Sequence, residues 1–106
     1  MTTVKLIRQN EKLIGFDVSG HSGYSDSGSD VVCAAVSSAV GLCETVISDS
    51  LYIKADITVE PEAARIALLI DEKDADSCKA ILSGFARHVC AISEEYPKYI
   101  EVLEVQ

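Results

Sequence analysis

The chain has no tryptophan, two prolines, two histidines, and nine basic residues against seventeen acidic ones. Each shortage excludes something. A formal net charge of −8 argues against a nucleic-acid surface, because phosphate contacts need clustered Lys and Arg. It suits a basic partner or substrate. Four Tyr and two Phe, with no Trp, form no aromatic platform for stacking on bases. Cys33, Cys43, Cys78 and Cys90 contain no C-x-x-C spacing and no His cluster accompanies them, so metal-ligand patterns are missing. No run approaches the ~18 apolar residues of a membrane span. Met1-Thr2-Thr3-Val4-Lys5 opens no signal-peptide pattern. The expectation is a cytoplasmic protein with reduced cysteines, three of the four serving as small core residues.

What is present is one domain's worth of alternating and helical pattern over residues 1–106. Val4–Arg8 and Leu13–Val18 read as strands around a polar turn, hence a hairpin. Gly15 within the second strand predicts a bulge or a close backbone approach. Ser19–Ser29 is a Gly/Ser loop, longer than a plain connection needs. From Val31 to Ile47 apolar residues recur at helical spacing on most sides, which predicts a buried helix with Ser29 or Asp30 as N-cap. Gly41 in its middle predicts close packing against another element. Ile53–Glu60 alternates cleanly, Pro61-Glu62 turns the chain, and Ala64–Ile70 follows as a strand. A second helix runs to about Glu95 with a stripe of Cys78, Ile81, Leu82, Phe85, Val89 and Ile92, and Pro97 stops it. Tyr99–Val105 is a last strand. The order ββαββαβ predicts an α+β domain with one mixed sheet and two helices.

The chemistry concentrates at Gly20-His21 and at Cys33, twelve positions after the histidine. With the cap at Ser29, Cys33 is the fourth helical residue. The free N–H groups and positive end of the helix favour an anion there, such as a thiolate or the oxyanion of a tetrahedral intermediate. His21, at a strand exit beside a glycine, can turn back as the general base such a nucleophile needs. Ser37 shares a helix face with Cys33, and either orients the thiol or bonds back to its own helix. Asp30 either orients the imidazole or caps the helix. His88 sits on the flank of the second helix's stripe and reads as structural. Taken singly, Cys33 also fits a core position and His21 a loop position, so the residues alone leave both readings open.

Gly20-His21, a variable Gly-rich loop, and Ser29-Asp30-Val31-Val32-Cys33-Ala34-Ala35-Val36-Ser37 together resemble the signature of the ribosomal-processing cysteine protease family, Prp. The resemblance extends over the whole chain in length, element order and acidic balance. It implies a single Prp-like cysteine protease domain over 1–106, in a bacterial cytoplasmic endopeptidase. Such an enzyme removes the N-terminal extension of large-subunit ribosomal protein twenty-seven. It implies His21 and Cys33 as catalytic residues, supporting or substrate-binding positions at Gly20, Asp30 and Ser37, a homodimer, and no metal or organic cofactor. Direct nucleic-acid and membrane contacts are not expected. The competing expectation is a non-enzymatic ribosome-assembly module that binds a basic ribosomal protein. A redox-sensing thiol is a further one, opposed by the ~15 Å of helical rise between Cys33 and Cys43.

Overall fold

The polar stretch before Leu13 makes the hairpin its composition predicts. The elements are β1 (Thr2–Gln9), β2 (Lys12–Ser19), α1 (Ser27–Thr45), β3 (Asp56–Glu60), β4 (Arg65–Leu69), α2 (Lys79–Glu95) and β5 (Ile100–Val105). The structure, a computed structural model, describes residues 1–20 and 27–106, the side chains of 27–30 excepted. Asn10 and Glu11 form the two-residue hairpin turn at φ 51° and 66°, a positive-φ pair that matches the twist of the flanking strands.

One five-stranded sheet has the order β3-β4-β2-β1-β5. Its neighbours are antiparallel except β1 and β5, which run parallel. The mixed sheet and two helices match the α+β expectation and its order. Gly15 is where two backbones meet: a Cβ there would lie 2.0 Å from the carbonyl oxygen of Leu68. The ladder also shifts register between Ile7 and Arg8, across from it. Both expectations for this glycine hold.

Alternation sends Val4 and Leu6, then Ile14, Phe16 and Val18, then Leu68, to one face of the sheet. The two helices cover that face. Val32, Val36, Val40 and Cys43 of α1 and Leu82, Phe85, Val89 and Ile92 of α2 are all buried. Phe16 stacks on Phe85 with ring centroids 4.1 Å apart. Each such ring contributes about 2–3 kcal/mol through removal from water.

Several expectations change. α1 starts at Ser27, so Ser29 and Asp30 are inside it and not its caps. Packing of Val32 and Val36 fixes the helix downstream, and weak helix formers upstream are carried along. Only one side of α1 is buried, for Val31 and Leu42 are 52% and 60% exposed. Residues Val31–Ser50 have the length and mean hydropathy, 1.8, of a membrane span, yet their apolar stripe forms the core of this fold. Gly41 packs against nothing within 4 Å of a would-be Cβ, and nothing in the structure explains it. A π-helical turn, Val46–Ser50, extends α1, and Tyr52 at φ 54° breaks it off. β3 begins at Asp56, later than its alternation suggests. It is an edge strand with every residue exposed, because the helices do not reach over it.

Candidate active site

At one end of the sheet the last paired row runs Glu60, Arg65, Ser19, Thr3 and Glu101. The start of β1, the exit of β2 and the β3–β4 turn therefore share one edge. The N-terminal half of α1 lies over it. Between them opens a groove of about 390 Å³. Thr2, Val18 and Gly20 supply its sheet wall, Cys33, Val36 and Ser37 its helix wall, and Val59, Pro61 and Ile66 its outer side. The lining is mainly apolar with a thiol and two hydroxyls among it, which suits an extended apolar peptide segment.

Cys33 is half-buried and unpaired with any other cysteine. Its Sγ lies 3.7 Å from Oγ1 of Thr2, and either atom can donate. The earlier start of α1 moves Cys33 from fourth to seventh helical residue. It lies in the second turn, about 9 Å along the axis from Ser27. The helix-end field fades within the first turn. In a regular helix the N–H of residue 33 is also committed to the carbonyl four residues back. The expectation that Cys33 sits on the free N–H end is thus corrected.

The strand that leads to His21 is anchored at its exit. Gly20 has φ +82°, and a Cβ there would lie 2.6 Å from the carbonyl oxygen of Met1. Its N–H donates to the carbonyl of Ala64 at 3.1 Å. Ala64 itself is left-handed, at φ 49°, where it ends the 3-10 turn Pro61–Ala63. The next residue, Arg65, holds Asp17 through Nε and Nη2, the shortest contact being 2.8 Å, and pairs with Glu60 on its other side. The hydrogen bonds that Arg65 donates to Asp17 and Glu60 hold the guanidinium protonated beyond its already high ordinary value.

Of the sequence-derived site residues, the structure brings Gly20, Cys33 and Ser37 to one groove. His21 lies outside the described residues. Asp30 falls in the first turn of α1, with its side chain outside them. His88 is exposed on α2, lining a different groove between the helices. Cys43 and Cys78 are core residues, as expected. Burial pushes the Cys43 thiol up to about 11. Burial, and then the charge of Asp74, raises Cys78 as well. Cys90 is exposed, so two cysteines fill the core and not three. Among the described residues no His/Cys/Asp/Glu cluster is arranged to hold a metal. Sequence reasoning missed Thr2, although the signal was there: β1 alternation places it inward with Val4 and Leu6, where a hydroxyl is out of place.

A second cleft, about 410 Å³, lies at the opposite end of β1 and β2 and gathers Arg8, Lys12, Lys79 and Arg87. Two of these cations are already paired, Arg8 with Glu104 and Lys12 with Asp76.

A half-buried thiol on a helix thus opens into a mainly apolar groove at one end of the sheet, a lining that suits an extended peptide. The chain belongs to the family of cysteine protease Prp, whose model matches residues 1–101. It is accordingly a cysteine protease, which displaces the non-enzymatic alternative. Two structures of the essential ribosomal processing protease Prp from S. aureus have the same fold. One, in complex with a substrate peptide, is 22% identical with a TM-score of 0.89. It covers 99% of this chain and 100% of that chain. The other, with a covalently linked product peptide, is 23% identical with a TM-score of 0.85 and the same coverage. SMU.848 from Streptococcus mutans is 17% identical with a TM-score of 0.86, over 99% of this chain and 94% of that one. No curated protein sequence matches the chain.

Proposed function

We propose that this protein is the endopeptidase that removes the N-terminal extension of large-subunit ribosomal protein twenty-seven, with Cys33 as nucleophile and His21 as general base. One observation carries the reading: the Cys33 thiol opens into the groove whose wall includes Gly20, the residue immediately before His21. Both named structures of the S. aureus enzyme support the substrate class, one holding a substrate peptide and one a covalently linked product peptide.

In this reading His21 takes the thiol proton and the Cys33 sulfur attacks the scissile carbonyl. His21 then delivers that proton to the leaving amine and activates the water that hydrolyses the thioester. Ser37, one turn beyond the nucleophile on the same wall, contacts substrate. Asp30 supports the imidazole. The reaction calls on no metal or organic cofactor.

The apolar lining of Val36, Val59 and Ile66 suits an apolar cleavage segment, and the acidic surface suits the basic remainder of a ribosomal protein. A cytoplasmic, bacterial setting belongs to the same reading. So does a homodimer, for which the outer face of the sheet offers exposed Leu69, Leu103 and Val105. The test is mass spectrometry of a peptide spanning the extension junction after incubation with the enzyme. Cleavage at the junction is expected. An intact peptide at high enzyme concentration refutes the substrate assignment.

A further inference from the structure

The nucleophile sits too deep in its helix for the helix end to hold it, so another group has to. Among the described residues the one buried polar side chain is Thr2, 3% exposed. Its hydroxyl points at the Cys33 sulfur across 3.7 Å, within hydrogen-bonding reach of so large an atom. Its backbone is fixed against β5 and the residue before it. The N–H of Thr2 donates to the carbonyl of Tyr99 at 2.8 Å, and Thr2 sits opposite Ile100 in the parallel β1–β5 pairing. Thr2 also lines the groove at its floor. A hydroxyl on a rigid strand, with little solvent to compete for it, has a sulfur as its natural partner.

We propose that Thr2 is a positioning residue for the cleavage reaction. Its hydroxyl hydrogen-bonds to the Cys33 sulfur, holds it aimed into the groove, and donates to it when it carries negative charge. This rests on Cys33 being the nucleophile. A hydroxyl is suited to both stages, because it accepts from the S–H of the resting thiol and rotates to donate to the thiolate. Charge-assisted bonds of this kind are about twice as strong as neutral ones. The contribution therefore rises as charge builds on sulfur, and it acts on the chemical step more than on peptide binding.

The substitutions that separate this from packing are Thr2→Val, which keeps the shape and removes the hydroxyl, and Thr2→Ser, which keeps the hydroxyl and removes the methyl. Each is compared with wild type for kcat and KM on the junction peptide, for the rate of Cys33 alkylation by iodoacetamide at neutral pH, and for thermal unfolding. Thr2→Val is expected to lower kcat and the alkylation rate about tenfold, with KM within twofold and unfolding temperature unchanged or raised. Thr2→Ser is expected to retain at least half of wild-type kcat, despite a lower unfolding temperature. Wild-type kcat in Thr2→Val overturns the proposal, and so does a Thr2→Ser variant as slow as Thr2→Val. Cleavage that survives Cys33→Ala refutes the nucleophile assignment beneath it, which is a separate result.

Discussion

Gly20 donates its backbone N–H to the carbonyl oxygen of Ala64 at 3.1 Å. That bond fastens the strand exit leading to His21 onto the corner of the β3–β4 turn, so the two sides of the groove move together. The glycine is required twice over, by φ +82° and by the Met1 carbonyl 2.6 Å from a would-be Cβ. Gly20→Ala is expected to cost about 1–3 kcal/mol of stability. It should also lower kcat/KM at least tenfold at temperatures where the variant is fully folded. Denaturant titration and peptide cleavage on the same sample measure both. A variant as active as wild type contradicts the anchoring role.

Arg65 sits beside that corner and grips Asp17 and Glu60 together. Its substitution by Met frees the outer wall of the groove while keeping most of the stem's packing. KM for the junction peptide is expected to rise several-fold, kcat to change by less than twofold, and the unfolding temperature to fall slightly. Steady-state kinetics decides it. An unchanged KM with depressed kcat places the residue in the chemistry instead.

The four thiols differ in access. Cys33 is half-buried and Cys90 exposed, while Cys43 and Cys78 are 2% and 0% exposed. Iodoacetamide at neutral pH is expected to add two groups to the folded protein and four in denaturant, read by intact mass. Peptide mapping should place the two at Cys33 and Cys90. A rapid third adduct on the folded protein contradicts the packing of α1 or α2.

Burial of Cys43 also links stability to alkaline pH. Loss of solvent pushes its thiol up to about 11 in the folded chain, from an ordinary value of 9.0. Between these values the unfolded chain holds fewer protons than the folded one, so stability falls as pH rises. The contribution is fully present below pH 9, is lost as pH rises through 11, and amounts to about 3 kcal/mol. Cys43→Ala is expected to be less stable near neutrality, by about 1 kcal/mol for the lost buried atom. Its stability should fall less steeply between pH 9 and 11 than that of wild type, when both are followed by urea titration. Parallel slopes contradict the assignment.

Much of the architecture was legible because period carries it. The inward alternation of Ile14, Phe16 and Val18, and the α2 stripe through Leu82, Phe85 and Val89, reappear as core. Gly15 announced its close backbone approach for a steric reason that sequence exposes. Three things were not legible. The start of α1 depends on packing downstream of Ser27, not on which nearby residue caps best. The exposure of Ile57 and Val59 follows from the place of β3 at the sheet edge, and alternation is blind to strand order. Thr2 meets Cys33 across 31 positions of sequence, through a fold that no local spacing encodes.

In the proposed reaction the thiol in this groove forms a covalent bond with the peptide it cuts. The direct measurement is the intact mass of the enzyme quenched in acid during turnover of the junction peptide, followed by fragment mapping of the adduct. An acyl group is expected on Cys33, adding the mass of the N-terminal product less one water. None is expected in Cys33→Ala, which should lose roughly 10³-fold or more of the activity. Turnover with no adduct on Cys33, or undiminished cleavage by Cys33→Ala, would contradict it.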